Sequence, residues 1–251
     1  MIFNNTAGAV LPELTSPAAV NDVKAGKEYI NGDGEKQTGT FVTYEDAAFS
    51  GVGMPATYTN DRISRLRYYA FTRVNADSVS FPNVTYCEDR VFDQSLVKHI
   101  SLPSLTNISG GGNNGRYLCV QSSRLESVDL PNLIYGNMNM FDRCTSLTSV
   151  YFPKLKRLDS LFFNACSSLL SVKLPAVTEI SGSAFQDCTK CVLYDFRDIA
   201  AIPTLKGTGA FRGINANCQI VVPDALYDDW IAASNWSAYA DYTVRESDYN
   251  D

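Results

Sequence analysis

The chain has 251 residues, is 45% hydrophobic and carries a formal net charge of −6 at neutral pH. That apolar content excludes wholesale disorder, and the acidic balance lacks the dense cationic footprint that nucleic-acid binding needs. No apolar run approaches the ~20 residues of a membrane-spanning helix, so no membrane insertion is expected.

Residues 1–58 do not share the pattern of the rest of the chain. The opening Met1-Ile2-Phe3-Asn4-Asn5-Thr6 lacks the charged and apolar regions of a secretory signal. The protein therefore stays inside, leaves by another route, or has lost its signal. The stretch from Val23 to Phe41 reads as a small hairpin turning at Asn31-Gly32. Asn31 to Glu35 lacks the ligand spacing and closing glutamate of a calcium loop.

From residue 59 to 223 a phrase recurs with a period of 22. Phe141-Asp142-Arg143-Cys144-Thr145-Ser146-Leu147-Thr148-Ser149-Val150-Tyr151-Phe152-Pro153 returns as Phe163, Cys166, Leu169, Val172, Leu174 and Pro175. A fixed period of this length predicts a solenoid whose coils bury each other's apolar faces. Strands are predicted at Val79-Ser80-Phe81-Pro82, Ile100-Ser101-Leu102-Pro103, Val128-Asp129-Leu130-Pro131, Val150-Tyr151-Phe152-Pro153 and Val172-Lys173-Leu174-Pro175. Degenerate copies follow at Tyr194-Asp195-Phe196 and Ile220-Val221-Val222-Pro223. Alternation puts the first and third side chains inward, and the proline stops pairing and turns the chain. A second apolar pair follows each proline, and then an aromatic position recurs at Phe71, Phe92, Phe141, Phe163, Phe185 and Phe211.

Two insertions break the period. About six extra residues lie between Ile108 and Leu118, supplying Asn113, Asn114, Arg116 and Tyr117, and about four lie between Ile202 and Phe211. Insertions in repeats are expected to protrude as loops, often on a binding face. After Pro223 a capping helix is predicted, with Asp224 as its N-cap and Leu226, Tyr227, Trp230 and Ile231 on one face. Residues 224–251 thus form a cap and tail, the last few polar and fraying.

Chemistry-bearing residues are few. Seven cysteines occur without a paired metal knuckle, and Cys144, Cys166 and Cys188 keep the repeat spacing. They read as a buried, reduced thiol ladder. His99, the one histidine, could meet Ser127 across ~4.8 Å, but no carboxylate in that column would orient its ring. Asp129 and Asp195 are three coils apart, roughly 14 Å and too far for glycoside hydrolysis. No phosphate loop or dinucleotide fingerprint appears. The expectation is a non-enzymatic protein with no catalytic residue, metal or cofactor.

The outward strand column holds Ser80, Ser101, Asp129, Tyr151, Lys173 and Asp195, beside His99, Ser127, Ser149 and Ser171. Asp129, Tyr151, Lys173 and Asp195, with Asn113, Asn114, Arg116 and Tyr117 of the first insertion, are the candidate ligand contacts.

The phrase F-x-x-C-x-x-L-x-S-V-x-L-P-x-L-x-x-I resembles the BspA-like leucine-rich repeat of bacterial surface proteins. The likeness covers roughly residues 60–223, with cysteine where many leucine-rich repeats carry asparagine. It implies a leucine-rich repeat solenoid, an extracellular binding or adhesion role and no shared catalytic residue. The V-P-x-x-x-x-x-x-W segment also resembles that family's C-terminal end. The stretch A-G-K-x-Y-I-N-x-x-G-x-x-x-x-G-T, in contrast, resembles short modules of phage tail and prophage structural proteins. Residues 1–58 are accordingly read as an attachment module, with room for homo-oligomerisation through it. The expected function is recognition of a host-surface protein or glycan from a virion or bacterial surface. A structural tail component, or an enzyme acting on polysaccharide, are the alternatives.

Overall fold

The computed structural model describes residues 55–108 and 117–250 in full, and the backbone of residues 28–30, 36–38 and 43–44. Strands β1 (Glu28–Ile30) and β2 (Lys36–Thr38) pair antiparallel with Tyr29 opposite Gln37, as a hairpin requires. The turn assigned to Asn31-Gly32 lies outside the described residues.

The rest winds as a parallel β-solenoid of about eight turns among the described residues. Each coil has three sides. One is a two-residue strand, in β3 (Thr43–Tyr44), β5 (Arg65–Leu66), β7 (Tyr86–Cys87), β10 (Tyr135–Gly136), β12 (Arg157–Leu158), β14 (Glu179–Ile180) and β16 (Thr204–Leu205). Another is a longer strand, in β4 (Thr57–Thr59), β6 (Ser78–Ser80), β8 (His99–Ser101), β9 (Ser127–Asp129), β11 (Ser149–Tyr151), β13 (Ser171–Lys173), β15 (Leu193–Asp195) and β17 (Gln219–Val222). The third is a run of turns carrying the recurrent aromatic residue.

On the long-strand side the central residues Val79, Ile100, Val150, Val172, Tyr194 and Ile220 are buried, as the period of two requires. Between this side and the short-strand side comes a tight turn. The residue before each proline accepts the N–H three residues on: Val84 to Phe81, Leu105 to Leu102, Leu133 to Leu130 and Leu155 to Phe152, at 3.1–3.3 Å. Proline at the second turn position presets the required φ.

On the turn side the aromatic rings stack from coil to coil. Phe141, Phe163, Phe185 and Phe211 lie face to face with centroids 5.3–5.5 Å apart, as do Phe71 and Phe92 at 5.2 Å. Each ring is worth ~1.5–3 kcal/mol when buried, and only the neighbouring coil buries it. The column does not stop between Phe92 and Phe141. Cys119 holds the same station there, bonding to Met140 O as Phe141 bonds to Phe162 O. Two residues before and after the aromatic station the backbone turns left-handed, with positive φ at Asn139, Arg143, Leu161 and Ala165.

Both ladders are interrupted in the same region. Strands β4, β6, β8 and β9 form one sheet, and β11, β13, β15 and β17 belong to another. Val128 in β9 is only partly covered, unlike its counterparts. On the short-strand side, β7 reaches Ile108 through a single bridge, and β10 begins a new sheet.

The C-terminal end is closed by helix α1 (Tyr227–Ala232), two short 3-10 segments and strand β18 (Thr243–Arg245), which pairs parallel with β17. Trp230, Trp236 and Tyr239 are buried and cover the last aromatic rings. Trp236 sits 5.7 Å from Phe211, and its indole donates to Pro203 O at 2.7 Å. Two expectations are corrected here. Asp224 makes no N-cap bond; Pro223 holds that position, and the Asp224 carboxylate accepts Ser247 N–H at 3.1 Å instead. The tail to residue 250 does not fray, because Arg245 pairs with Asp228 at 2.7 Å and Arg197 lies over the Tyr249 ring.

Candidate recognition face

The outer columns of the long strands carry four of the candidate residues, Asp129 in one sheet and Tyr151, Lys173 and Asp195 in the next. Register pairs Ser101 with Asp129 in one sheet, and Tyr151 with Lys173 and then Asp195 in the other. Asp129 is exposed and accepts the Ser101 hydroxyl at 2.8 Å. Tyr151 is the most exposed large hydrophobic side chain among the described residues, at 57%. Lys173 bridges to Asp198 at 2.8 Å and Asp195 at 3.6 Å. The Asp198 hydrogen bond raises the Lys173 pKa, so its charge is secure.

Asp195 stands in the expected column but is only 4% exposed. Arg197, two residues on, folds over it: its Nε and Nη2 donate at 3.1 and 3.0 Å, and its backbone N–H adds a third bond. Burial pushes the Asp195 pKa up, and the Arg197 bonds outweigh it, leaving the carboxyl below its ordinary value. Asp195 therefore fixes the Lys173 ammonium rather than facing solvent. Leu170 and Val192, one residue before their strands, are exposed on adjacent coils and add an apolar border that sequence reasoning missed.

The first insertion is largely out of view: Asn113, Asn114 and Arg116 lie outside the described residues. Tyr117 is described, on the turn side and not on the strand face. Its N–H bonds Asp89 at 2.6 Å, and Arg90 stacks over its ring at 4.5 Å. The second insertion does not protrude. Thr204 and Leu205 rejoin the short-strand ladder through β14, Lys206 pairs with Glu179, and the Pro203 and Leu205 carbonyls hold the cap.

His99 Nδ1 meets Ser127 Oγ at 2.8 Å, as the register allowed. A carboxylate does lie nearby, from the preceding column: Glu126 Oε2 is 4.0 Å from Nε2. All of this sits in solvent, where water screens the pair. The trio reads as a surface hydrogen-bond chain. Among the described residues no group of three or more His, Cys, Asp or Glu side chains could hold a metal ion. No described helix is long and apolar enough to cross a membrane.

The thiol ladder has a defined role. Cys144, Cys166 and Cys188 each donate to the carbonyl of the aromatic-station residue one coil earlier: Cys119 O at 2.8 Å, Phe141 O at 3.1 Å and Phe163 O at 3.1 Å. Ser122 does the same to Phe92 O at 2.6 Å. Burial pushes all three thiols well above their ordinary pKa, which keeps the donor proton in place.

Six copies of the BspA type leucine-rich repeat region match the chain over residues 42–117 and 113–192. No curated protein matches it. Among solved structures, a leucine-rich repeat protein of Eubacterium ventriosum is similar over 81% of this chain, with TM-score 0.55 and 20% identity. The chain spans 55% of the length of that protein. The T. pallidum leucine-rich repeat protein matches 61% of this chain and 81% of its own, at 18% identity and TM-score 0.40. A Bacteroides ovatus leucine-rich repeat protein matches 82% of this chain and 65% of its own, at 15% identity and TM-score 0.35.

Proposed function

Because this chain belongs to the BspA-type leucine-rich repeat family, we propose that it is a non-enzymatic adhesion protein that binds a host-surface protein or glycan. The binding surface is the long-strand face centred on Tyr151. It works outside the cell, on a bacterial or virion surface. One observation carries the reading: Tyr151 is 57% exposed on the long-strand side, beside the salt-bridged Lys173 of its own sheet and one coil on from the exposed Asp129. A ring held this way offers contact area at low entropic cost, and flanking charges of both signs give orientation. Membership of a family associated with surface binding supports the assignment.

The test is binding of the full chain to host cells and to a glycan panel, with Tyr151→Ala, Lys173→Ala and Arg116→Ala variants. A central aromatic anchor is worth about 2 kcal/mol or more, so Tyr151→Ala weakens binding roughly 30-fold while the melting temperature stays put. Wild-type affinity in the Tyr151 and Lys173 variants would move the site off this face. Turnover of any glycan in the panel would reject the non-enzymatic assignment.

A further inference from the structure

Seven cysteines lie buried as free thiols. Three of them, the 22-spaced ladder, give their protons to backbone carbonyls of the coil before. Cys191 and Cys218 behave differently. They occupy the station held by Leu147 and Leu169 in earlier coils, each bonding through its N–H to the carbonyl three residues back. Leucine is thus replaced by cysteine in two successive coils at once. The coils are hydrogen-bonded neighbours through β15 and β17, which sets the two Cα atoms within the range a disulfide spans.

The two cysteines also sit at different distances from their strands. Cys191 is two residues ahead of its strand, as Leu169 is, but Cys218 immediately precedes Gln219. The two thiols still lie near enough on adjacent coils for each to shift the other's ionisation. Unlike the ladder thiols, their backbone acceptors lie in their own coil, Leu193 O at 3.5 Å and Gln219 O at 3.9 Å.

We propose that Cys191 and Cys218 form a disulfide that staples the last two coils in an oxidising environment. The electron acceptor is a low-molecular-weight disulfide. The Cys191 thiolate attacks one of its sulfurs, its S–S bond breaks, and a first thiol leaves with the Cys191 proton. Cys218 then attacks the Cys191 sulfur of the mixed disulfide and a second thiol leaves with the Cys218 proton. Two S–H bonds are lost, one S–S bond is made, and the reagent is reduced to two thiols. The Cys218 side chain holds the Cys191 pKa below its ordinary value, whereas burial raises the ladder thiols. Cys191 is fully buried, so the exchange runs before the last coil docks or while it is open.

The full chain is held with oxidised glutathione, denatured, alkylated and mapped by mass spectrometry, beside a sample kept in reductant. Oxidation removes two alkylation sites from the seven cysteines and yields one cross-linked peptide joining Cys191 to Cys218. Cys144→Ser leaves that peptide unchanged. The oxidised chain melts at a higher temperature than the reduced one, and Cys218→Ala removes the difference. Full labelling of every cysteine after oxidation, or a link within the Cys144, Cys166 and Cys188 ladder, overturns the proposal. The result is independent of whether the Tyr151 face binds anything.

Discussion

Cys166 donates its thiol proton to the carbonyl oxygen of Phe141 across 3.1 Å, one coil away and inside the core. The contact explains why a cysteine recurs beside a phenylalanine in this repeat. The aromatic-station residue gives its N–H to the following coil, as Phe141 does to Phe162 O, and its carbonyl is buried. That carbonyl also accepts the Cys144 N–H at 3.2 Å, so the thiol fills its second lone pair, a bond that contributes about 0.5–1.5 kcal/mol. Cysteine supplies the donor while packing as a small apolar group, and Ser122 supplies it as a hydroxyl.

Cys166→Val keeps an apolar side chain and removes the donor, so it destabilises the chain by roughly 0.5–1.5 kcal/mol. Cys166→Ser keeps a donor and costs less. Urea denaturation of both variants decides the matter: a valine variant as stable as the serine variant removes the hydrogen bond from the account.

The architecture was legible in the sequence because solenoid packing repeats, and repetition survives in the spacing of Val150 and Val172 or Phe141 and Phe163. The cap was legible through its tryptophans. What the period could not reveal is what breaks it. Cys119 is hidden in the aromatic column because the first insertion shifts its spacing. Asp195 stands in the right column, but the chain turns after β15 and brings Arg197 back over it. Glu126 reaches His99 from a neighbouring column, a diagonal contact that in-register reasoning omits. Proximity to the insertion groups Tyr117 with the binding candidates, although its station belongs to the turn side.

Gly136 shows how a break is compensated. Its station holds Leu158 in the next coil and Ile180 after that, yet a Cβ at Gly136 would lie 2.0 Å from Phe162 Cε2. Phe162 in turn stands where Ala184 and Ala210 stand in later coils. The large side chain has moved from one wall to the other. Gly136→Leu therefore overpacks the core and Phe162→Ala empties it, costing about 1–3 and 3–5 kcal/mol respectively. The double variant restores the arrangement of the later coils and recovers much of the loss. Additive losses in the thermal midpoints would show that the two positions are not coupled.

Ala165 carries φ +54°, a conformation that penalises a side chain by about 1 kcal/mol. Gly213 holds the equivalent station two coils later, with φ +79°. Ala165→Gly relieves the strain and outweighs the added freedom of the unfolded chain, raising stability by roughly 0.5 kcal/mol. Gly213→Ala works the other way, since its Cβ would also meet Asp187 Oδ1 at 2.9 Å. Midpoints that move together, and not in opposite directions, would show that backbone strain is not the controlling effect.

The Arg197 clamp makes stability depend on acid in a way that one substitution inverts. Asp195 has a folded pKa below its unfolded value of 3.8, despite burial, because Arg197 and Lys173 favour the carboxylate. A depressed folded pKa adds stability above the unfolded value, and this is lost as pH falls through the folded one. Arg197→Gln removes the fork and leaves the buried carboxyl with Lys173 at 3.6 Å as its remaining ion pair. Burial then dominates and lifts the pKa above the unfolded value, so the penalty is felt at neutral pH and relieved on acidification. The variant is less stable than the parent by roughly 1–3 kcal/mol at pH 7, and the gap narrows as pH falls from the variant's raised pKa through the parent's lowered one. Melting curves of both proteins from pH 7 to pH 3 test this directly. A constant offset across that range would mean that Arg197 contributes through packing alone and leaves the ionisation of Asp195 untouched.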